Sequence, residues 1–308
     1  MTVIAVSGAS GFLGRHLRHE LLAKGHRVIA VARPGLYSKE LAAKLAGAGT
    51  FIHLAARVHV LKEDCANPQA EFLKCNLGLT QIVALAAKQA GVKRFIFLSS
   101  AGVLGASSPP GGFGEDSVPH PHDAYTASKL QAEEWLNSHL GASMELVILR
   151  PPLIYGPGAK GNMMRLMRLA LQGWPLPIGA LRAPRSMVAI RNIVDLISML
   201  ATDARPIRAT MLVADRQTIS VADLFRTVAR QAGHRPWLAP LPPVLIRSLL
   251  TLAGRDSDIV RLTGPFVLNP NIARSQFDWV PPYPLQAELR RTVVCELEAV
   301  ARPNKLEN

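Results

Sequence analysis

Cysteine is scarce in this 308-residue chain, and the three that occur, Cys65, Cys75 and Cys295, stand far apart. They form neither an even framework for disulfides nor the close pairs of a metal knuckle, so they read as inert thiols in a reducing compartment. No cluster of His, Cys, Asp and Glu has ligand spacing, and no metal is expected. Apolar runs of the roughly 18 residues that a membrane span needs are also missing. The apolar segment Pro242–Gly254 contains Arg247 and reads as a packed helix, with contact to a membrane surface as the alternative. From Met1 the chain passes directly into an apolar run with no basic leader, so no secretory signal and a cytoplasmic location are expected. Acids are few: 22 Asp and Glu face 35 Lys and Arg, a net charge of +13. Such a field attracts phosphates. Yet the basic residues are scattered, with no dense run, no aromatic interleaving and no finger or helix-turn-helix signature, so nucleic acid is not expected as a partner.

What the chain does have is rhythm. Val3–Ser7 is an apolar, largely β-branched run closed by Gly8 and reads as a buried strand. Phe12–Lys24 follows as a helix stopped by Gly25, then Arg27–Ala32 as a second strand and Phe51–Ala55 as a third. A helix over about Leu77–Ala90 and a strand at Arg94–Ser99 continue the pattern. A loop rich in Gly, Ser and Pro leads from Ala101 to about Asp123, followed by a helix reaching His139 and a strand at Glu145–Leu149. This alternation predicts an α/β fold with a parallel sheet covered on both faces. Beyond Pro151-Pro152 the rhythm loosens. Short strands at Ser186–Ile190 and Thr210–Val213 mix with helices near Met163–Gln172, Ile193–Ala201 and Val221–Gln231. Residues 1–150 are therefore expected to form one unit and 151–308 mainly a smaller substrate-covering region, with the chain crossing between them.

Gly8-Ala9-Ser10-Gly11-Phe12-Leu13-Gly14 places three evenly spaced glycines between the first strand and the first helix. Glycines there permit a tight turn and let backbone approach a pyrophosphate, while the helix N-terminus offers amides and its dipole. A dinucleotide is expected on this turn. The end of the second strand selects which one. An acid there would take the ribose 2′-hydroxyl of NAD, but the chain reads Val31-Ala32-Arg33. Arg33 can meet a 2′-phosphate, so NADP(H) is favoured and NAD(H) stays open, with Arg33 stacked on adenine or facing solvent as the alternative.

Tyr125 and Lys129 lie four apart, on one face of their helix. An ammonium there can favour the phenolate and make tyrosine a usable acid/base near neutral pH. Ser100, placed just after a strand, can orient the oxygen that exchanges the proton. His53 reads as a satisfied core residue, and His120 and His122 as part of a solvated loop, with substrate contact as their alternative.

Together these residues resemble the extended short-chain dehydrogenase/reductase family, in its nucleotide-sugar epimerase, dehydratase and reductase branch. The resemblance runs through Gly8–Gly14, His53-Leu54-Ala55-Ala56, Asn76, Val92–Ser100 and Tyr125-Thr126-Ala127-Ser128-Lys129. It continues in Leu149-Arg150-Pro151-Pro152, Tyr155-Gly156-Pro157-Gly158 and Arg185–Asp195. It implies a Rossmann-type doubly wound parallel sheet with a smaller C-terminal α/β substrate-binding region. It also implies that Ser100 hydrogen-bonds the reacting oxygen, that Tyr125 is the acid/base, and that Lys129 binds the nicotinamide ribose and lowers the tyrosine pKa. Cofactor contacts are implied at Gly8, Ser10, Gly11, Phe12, Leu13 and Gly14, then at Arg33, Leu54, Ala55 and Ala56. Further contacts are implied at Asn76, Ser99 and Pro152, beside Tyr125 and Lys129. Asn162 and Arg185 match positions that hold a substrate diphosphate, a task a guanidinium performs with two parallel hydrogen bonds.

The implied reaction is hydride exchange at C4 of a nucleoside-diphosphate sugar. A UDP-4-keto-6-deoxy-hexosamine 4-ketoreductase is expected, a UDP-sugar 4-epimerase is the alternative, and a reductase of hydrophobic carbonyls or a non-catalytic NADP-binding module is more remote. A homodimer is also admitted. Departures from the family pattern narrow the choice. A 4,6-dehydratase would carry an acidic pair directly after Ser100, where this chain has Ala101 and Gly102. The stretch from Arg33 to Phe51 is shorter than the family norm and lacks its strand, and Leu153 stands where many relatives use asparagine.

Overall fold

Eight short strands and ten helices appear in the computed structural model, which describes residues 1–58, 68–141, 144–159, 161–242, 244, 245, 248, 251, 260 and 263–301. Cys65, Arg247 and most of the apolar Pro242–Gly254 segment fall outside the described residues. In chain order the strands are β1 (Val3–Ser7), β2 (Arg27–Val31), β3 (Thr50–His53), β4 (Arg94–Leu98), β5 (Glu145–Arg150), β6 (Leu153–Tyr155), β7 (Met187–Ala189) and β8 (Ala209–Leu212). The helices are α1 (Phe12–Ala23), α2 (Leu41–Lys44), α3 (Pro68–Phe72), α4 (Leu79–Gln89), α5 (Ala124–His139), α6 (Asn162–Leu171), α7 (Ile190–Thr202), α8 (Val221–Gln231), α9 (Ile272–Phe277) and α10 (Leu285–Ala301).

Six strands form one all-parallel sheet in the order β2-β1-β3-β4-β5-β8, and β6 and β7 form a separate parallel pair. The inner strands are nearly continuous apolar runs because helices cover both of their faces. Ile4, Val6, Ile52, Ile96 and Val147 point to one side, against Leu17 and Leu21 of α1 and Ile193 and Ile197 of α7. Their alternating neighbours Ala5, Phe51, Phe95, Phe97 and Ile148 point to the other, against Val83 of α4 and Ala132 and Leu136 of α5. Each large side chain fully buried there contributes roughly 1.5–3 kcal/mol relative to exposure. A third cluster packs β6 and β7 with α6, α8 and α10 through Tyr155, Met164, Met167, Phe225 and Leu289.

The strand order reverses between β1 and β3, which opens a crevice at their carboxyl ends. That crevice lies between the glycine turn and the Leu54–Ala56 segment. The second half of the chain is not a separate body. Its strand β8 extends the main sheet beside β5, and its helix α7 packs on α1. Among the described residues no helix is long and apolar enough to cross a membrane.

Between β2 and β3 there is a 3-10 turn (Arg33–Tyr37) and the short α2, with no strand, in agreement with the sequence reading of that short segment. The next stretch differs from it. The helix expected from about Leu77 begins earlier, at Pro68, and passes through a π-helical stretch, Leu73–Gly78, before continuing as α4.

Candidate active site

The glycine turn is built by close approach. Gly8 has φ +71°, and a Cβ on it would sit 2.8 Å from the Ala55 amide nitrogen, so the turn presses directly on the end of β3. A Cβ on Gly14 would lie 2.1 Å from the Gly8 carbonyl oxygen, which locks α1 against the turn. Gly11 is the N-cap of α1 and brings no side chain to occupy the amides of the first turn. Ser10 and Gly11 are exposed, whereas the Leu13 side chain points into the core, so only its backbone faces the turn. Phe12 and Leu54 are half-buried and pack on that same core. Ala55 and Ala56 are half-buried at the crevice.

Strand β4 delivers Ser99 and Ser100 to the same edge, and the ladder to β5 continues past it: the Ser99 amide donates to Leu149 O and the Ala101 amide to Pro151 O, both at 2.8 Å. Ser100 then caps a 3-10 turn, its hydroxyl oxygen accepting the Gly102 amide at 3.1 Å. Asp123 starts α5 with a reciprocal cap on Thr126, at 2.7 Å from its amide, which fixes the helix entry and places Tyr125 in the first turn. Tyr125 meets Ser100 through a side-chain hydrogen bond. Lys129, one turn further on, donates from Nζ to the Leu98 carbonyl at 2.8 Å and lies 4.6 Å from the centre of the Phe97 ring. The three residues expected to carry the chemistry therefore converge on the carboxyl end of β4.

Their electrostatics differ from expectation. Burial, and then the Asp123 carboxylate, push the Tyr125 phenol up to about 12, and the Ser100 hydrogen bond offsets this only in part. The Lys129 ammonium is turned to the Leu98 carbonyl. Burial draws Lys129 itself down to about 7, with the Glu133 charge opposing that fall.

A directed line of hydrogen bonds joins the strand before the glycine turn to this helix. Thr80 Oγ1 donates to Asn76 O at 2.6 Å, so it accepts from His53 Nε2 at 3.1 Å. His53 Nδ1 then accepts from Ser7 Oγ at 2.7 Å, which fixes the tautomer and satisfies both ring nitrogens. Burial, helped by the charge of Lys129, holds His53 down at about 3, so it stays neutral. Asn76, in the π stretch, donates from Nδ2 to Ser128 Oγ at 2.9 Å and to Arg57 O at 3.1 Å, and accepts the Arg57 amide at 2.8 Å. Ser128 passes the line on to the Tyr125 carbonyl at 2.7 Å. Asn76, expected at the cofactor, thus uses its side chain to hold the crevice wall.

The remaining expected contacts divide. Arg33 stands exposed just past β2, and no carboxylate pairs with it among the described residues. Arg185 directs Nη1 to Gly264 O at 2.8 Å and lies over the Phe266 ring, so part of its guanidinium holds the chain together. Pro152 is half-buried behind the Ser100 turn. Asn162 begins α6, and its side chain lies outside the described residues. Ser99 donates to Glu133. The sequence reading passed over Glu133 and gave Arg150 no role beyond its place in Leu149–Pro152; the two are joined at 2.6 Å in a buried pair beside Lys129. The signal for Glu133 was its position one turn past Lys129. His120 and His122 are both exposed in the loop before α5.

The model of the NAD dependent epimerase/dehydratase family matches residues 4–213. The chain belongs to that family. Over 314 residues it is 32% identical to a UDP-glucose 4-epimerase of Vibrio cholerae, covering 96% of each protein. It is 28% identical over 307 residues to a ceramide reductase of Caulobacter vibrioides, covering 93% of this chain and 88% of the relative. The solved structure of MoeE5 in complex with UDP-glucuronic acid and NAD matches with a TM-score of 0.78 at 25% identity, over 96% of this chain and 99% of the other. As a member of the epimerase/dehydratase family, the chain is an NAD(P)-dependent enzyme of the short-chain dehydrogenase/reductase type with a Rossmann-like sheet. The residues present fit a dinucleotide. Two glycines keep clear a cradle that a Cβ would fill, and the helix entry above it carries no side-chain cap.

Proposed function

We propose that the chain reduces a ketone at C4 of a nucleoside-diphosphate sugar at the expense of NADPH, with a UDP-4-keto-6-deoxy-hexosamine as the substrate class. The end of β2 carries this reading: an exposed Arg33 stands there, and Val31 and Ala32 bring no carboxylate. That end suits a 2′-phosphate, the mark of a cofactor consumed in reductions. The complex of MoeE5 with a UDP-sugar supports the substrate class.

A nicotinamide dinucleotide held over the glycine turn would supply the hydride. Tyr125, kept protonated near neutral pH by a phenol at about 12, donates its proton to the carbonyl oxygen as that oxygen gains charge. Ser100 orients the same oxygen, and the Gly102 amide on its Oγ fixes the hydroxyl for that task. Lys129 stays beside the pair as a charged neighbour and holds the cofactor ribose. Gly102 also argues against dehydration. A Cβ there would fall 2.8 Å from Thr126 Cγ2, so the position leaves little room for an acid. Residues 151–308 would supply most of the sugar-nucleotide contacts, with Asn162 and Arg185 as the residues proposed for the diphosphate.

The second reading is a 4-epimerase, favoured by the near full-length similarity to the Vibrio cholerae UDP-glucose 4-epimerase. Incubation with NADPH and a UDP-4-keto-6-deoxy-hexosamine separates the two. Stoichiometric loss of NADPH with formation of the 4-hydroxy sugar is expected. Interconversion of UDP-GlcNAc and UDP-GalNAc with no net NADPH oxidation would replace the reductase by the epimerase. Under either reading Tyr125→Phe is expected to cut turnover about 100- to 10,000-fold while cofactor binding survives.

A further inference from the structure

We propose that Glu133 and Arg150 are positioning residues for the reactive pair: Glu133 keeps the Lys129 side chain protonated, and Arg150 with Ser99 clamps Glu133 in the place where it can do so. The inference rests on the reading of Tyr125 and Lys129 as the reactive residues and extends it to a cluster that touches neither substrate nor cofactor.

The geometry is specific. Glu133 is 2% exposed, Ser99 and Lys129 3%, and Arg150 7%. Arg150 grips the Glu133 carboxylate from two nitrogens, Nη2 to Oε2 at 2.6 Å and Nε to both oxygens at 3.1 and 3.2 Å. Ser99 donates to Oε1 from the strand that ends beside Lys129. Three elements thus aim at one carboxylate: β4 through Ser99, β5 through Arg150, and α5, which carries Glu133 one turn beyond Lys129 on the same face.

Burying this much charge is costly, and an ion pair of this kind is a poor source of stability compared with apolar packing. Its placement is better explained by what it faces. From α5 Lys129 faces Glu133, with Tyr125 one turn before it on the helix, and from β3 the neutral His53. From β4 it meets the Leu98 carbonyl and the Phe97 ring, and Arg150 of β5 stands behind Glu133. Among these groups Glu133 is the one acid. Burial alone favours neutral lysine, which would remove both the charge beside Tyr125 and a donor for a ribose hydroxyl. The Glu133 charge opposes that loss. Arg150 and Ser99 keep the carboxylate from swinging toward the ammonium into a closed ion pair, which would withdraw Lys129 from the cleft.

The test follows the titration of Lys129 directly, so it does not depend on which sugar is turned over. The full chain is labelled with 13Cε-lysine, the Lys129 resonance is assigned by its loss in Lys129→Met, and its titration is followed by NMR. In Glu133→Gln the midpoint is expected to fall by about one pH unit or more, a tenfold shift in the protonated ratio. Because that variant leaves Arg150 buried without its partner, Glu133→Gln/Arg150→Met removes both charges together and keeps the test available if the single variant does not fold. Its midpoint should fall less than in the single variant, but in the same direction, and Glu133→Asp should restore part of the shift. Melting points that drop while the Lys129 midpoint stays within about 0.3 units in every folded variant would make the cluster purely structural and overturn the proposal. If the Lys129 midpoint shifts in the variants as expected but the wild type reduces no sugar ketone, the functional reading fails and the positioning role stands.

Discussion

An arginine–glutamate pair stands at each end of the strand pair β4–β5, buried on both sides only at the carboxyl end, and the two ends use it differently. At the amino ends of β4 and β5, Arg94 and Glu145 are direct partners in register, with Nη2 2.6 Å from Oε2. At the carboxyl ends, Arg150 meets Glu133 at the same distance. Arg94 sends its other donors to backbone, reaching Leu200 O, Asp203 O at 2.9 Å and Arg205 O at 2.7 Å. It thereby ties the first half of the sheet to the end of α7 and the approach to β8. No group of the candidate site lies among its partners. Arg150 gives its fork to a carboxylate that faces Lys129. Identical chemistry is thus a staple at one edge of the sheet and part of the site's electrostatics at the other, in keeping with the rule that open parallel sheets work at their carboxyl ends.

The contrast is broken most forcefully at Arg94. Arg94→Met takes the guanidinium from Glu145, which keeps only the Ile207 amide at 3.2 Å, and removes it from three carbonyls. The cost is expected near the lower end of the range for a broken buried pair, about 3 kcal/mol, because Glu145 keeps some access to water. Urea unfolding should report that loss with the KM for the sugar and the Kd for NADPH unchanged. A variant that melts normally but loses kcat would show that the amino-end pair also serves the site and would erase the distinction.

How far the sequence anticipates these two ends depends on the range of the interaction. The glycine turn, the Tyr125–Lys129 spacing and the helix Val221–Gln231 are local patterns, and the structure places all three elements where they were read. The Arg94–Glu145 and Arg150–Glu133 pairs join residues 51 and 17 positions apart, and nothing local pairs them. Local spacing gives the shared face of Tyr125 and Lys129 but not their partners, Ser100 for one and the Leu98 carbonyl for the other. The stretch Leu73–Gly78 was hidden for another reason: a π-helical turn breaks the 3.6-residue period on which helix recognition relies. Arg185 looked like a substrate fork, but bridges to Ile219 and Phe266 that no pattern announces commit part of it to the fold. Helix α10 was legible and went unread, since Leu285, Leu289 and Val293 repeat on one buried face.

His53 sharpens the contrast through pH. It closes β3 at the carboxyl end of the sheet, neutral and held down at about 3, whereas an unfolded histidine titrates near 6.5. Between those values the unfolded chain binds a proton that the folded chain refuses, so stability rises with pH. The contribution is complete above about pH 6.5 and is lost as pH falls toward 3. By pH 5 the loss from this one group is about 2 kcal/mol. His53→Gln offers a donor and an acceptor in the same places but does not titrate. Its unfolding free energy should therefore fall less than that of the wild type between pH 7 and 5, whatever its offset at pH 7. Parallel pH profiles for the two proteins would mean that His53 already takes up a proton in the fold.

The smallest expected effect lies at the exposed edge, where Arg33 has neither a carboxylate partner among the described residues nor a role in packing. Arg33→Ala should leave the unfolding free energy within about 0.5 kcal/mol of wild type, as surface changes usually do. An exposed guanidinium meeting a 2′-phosphate gains only a modest, salt-screened attraction, so the change should be about tenfold in affinity and should shrink as salt is raised. Fluorescence titration with NADPH and NADH in parallel reads this without any substrate. Weakening confined to NADPH marks Arg33 as the residue that reads the 2′ position. An equal loss for both cofactors would mean that Arg33 packs on the adenine they share, and the preference for NADPH would then have to come from another residue around the crevice.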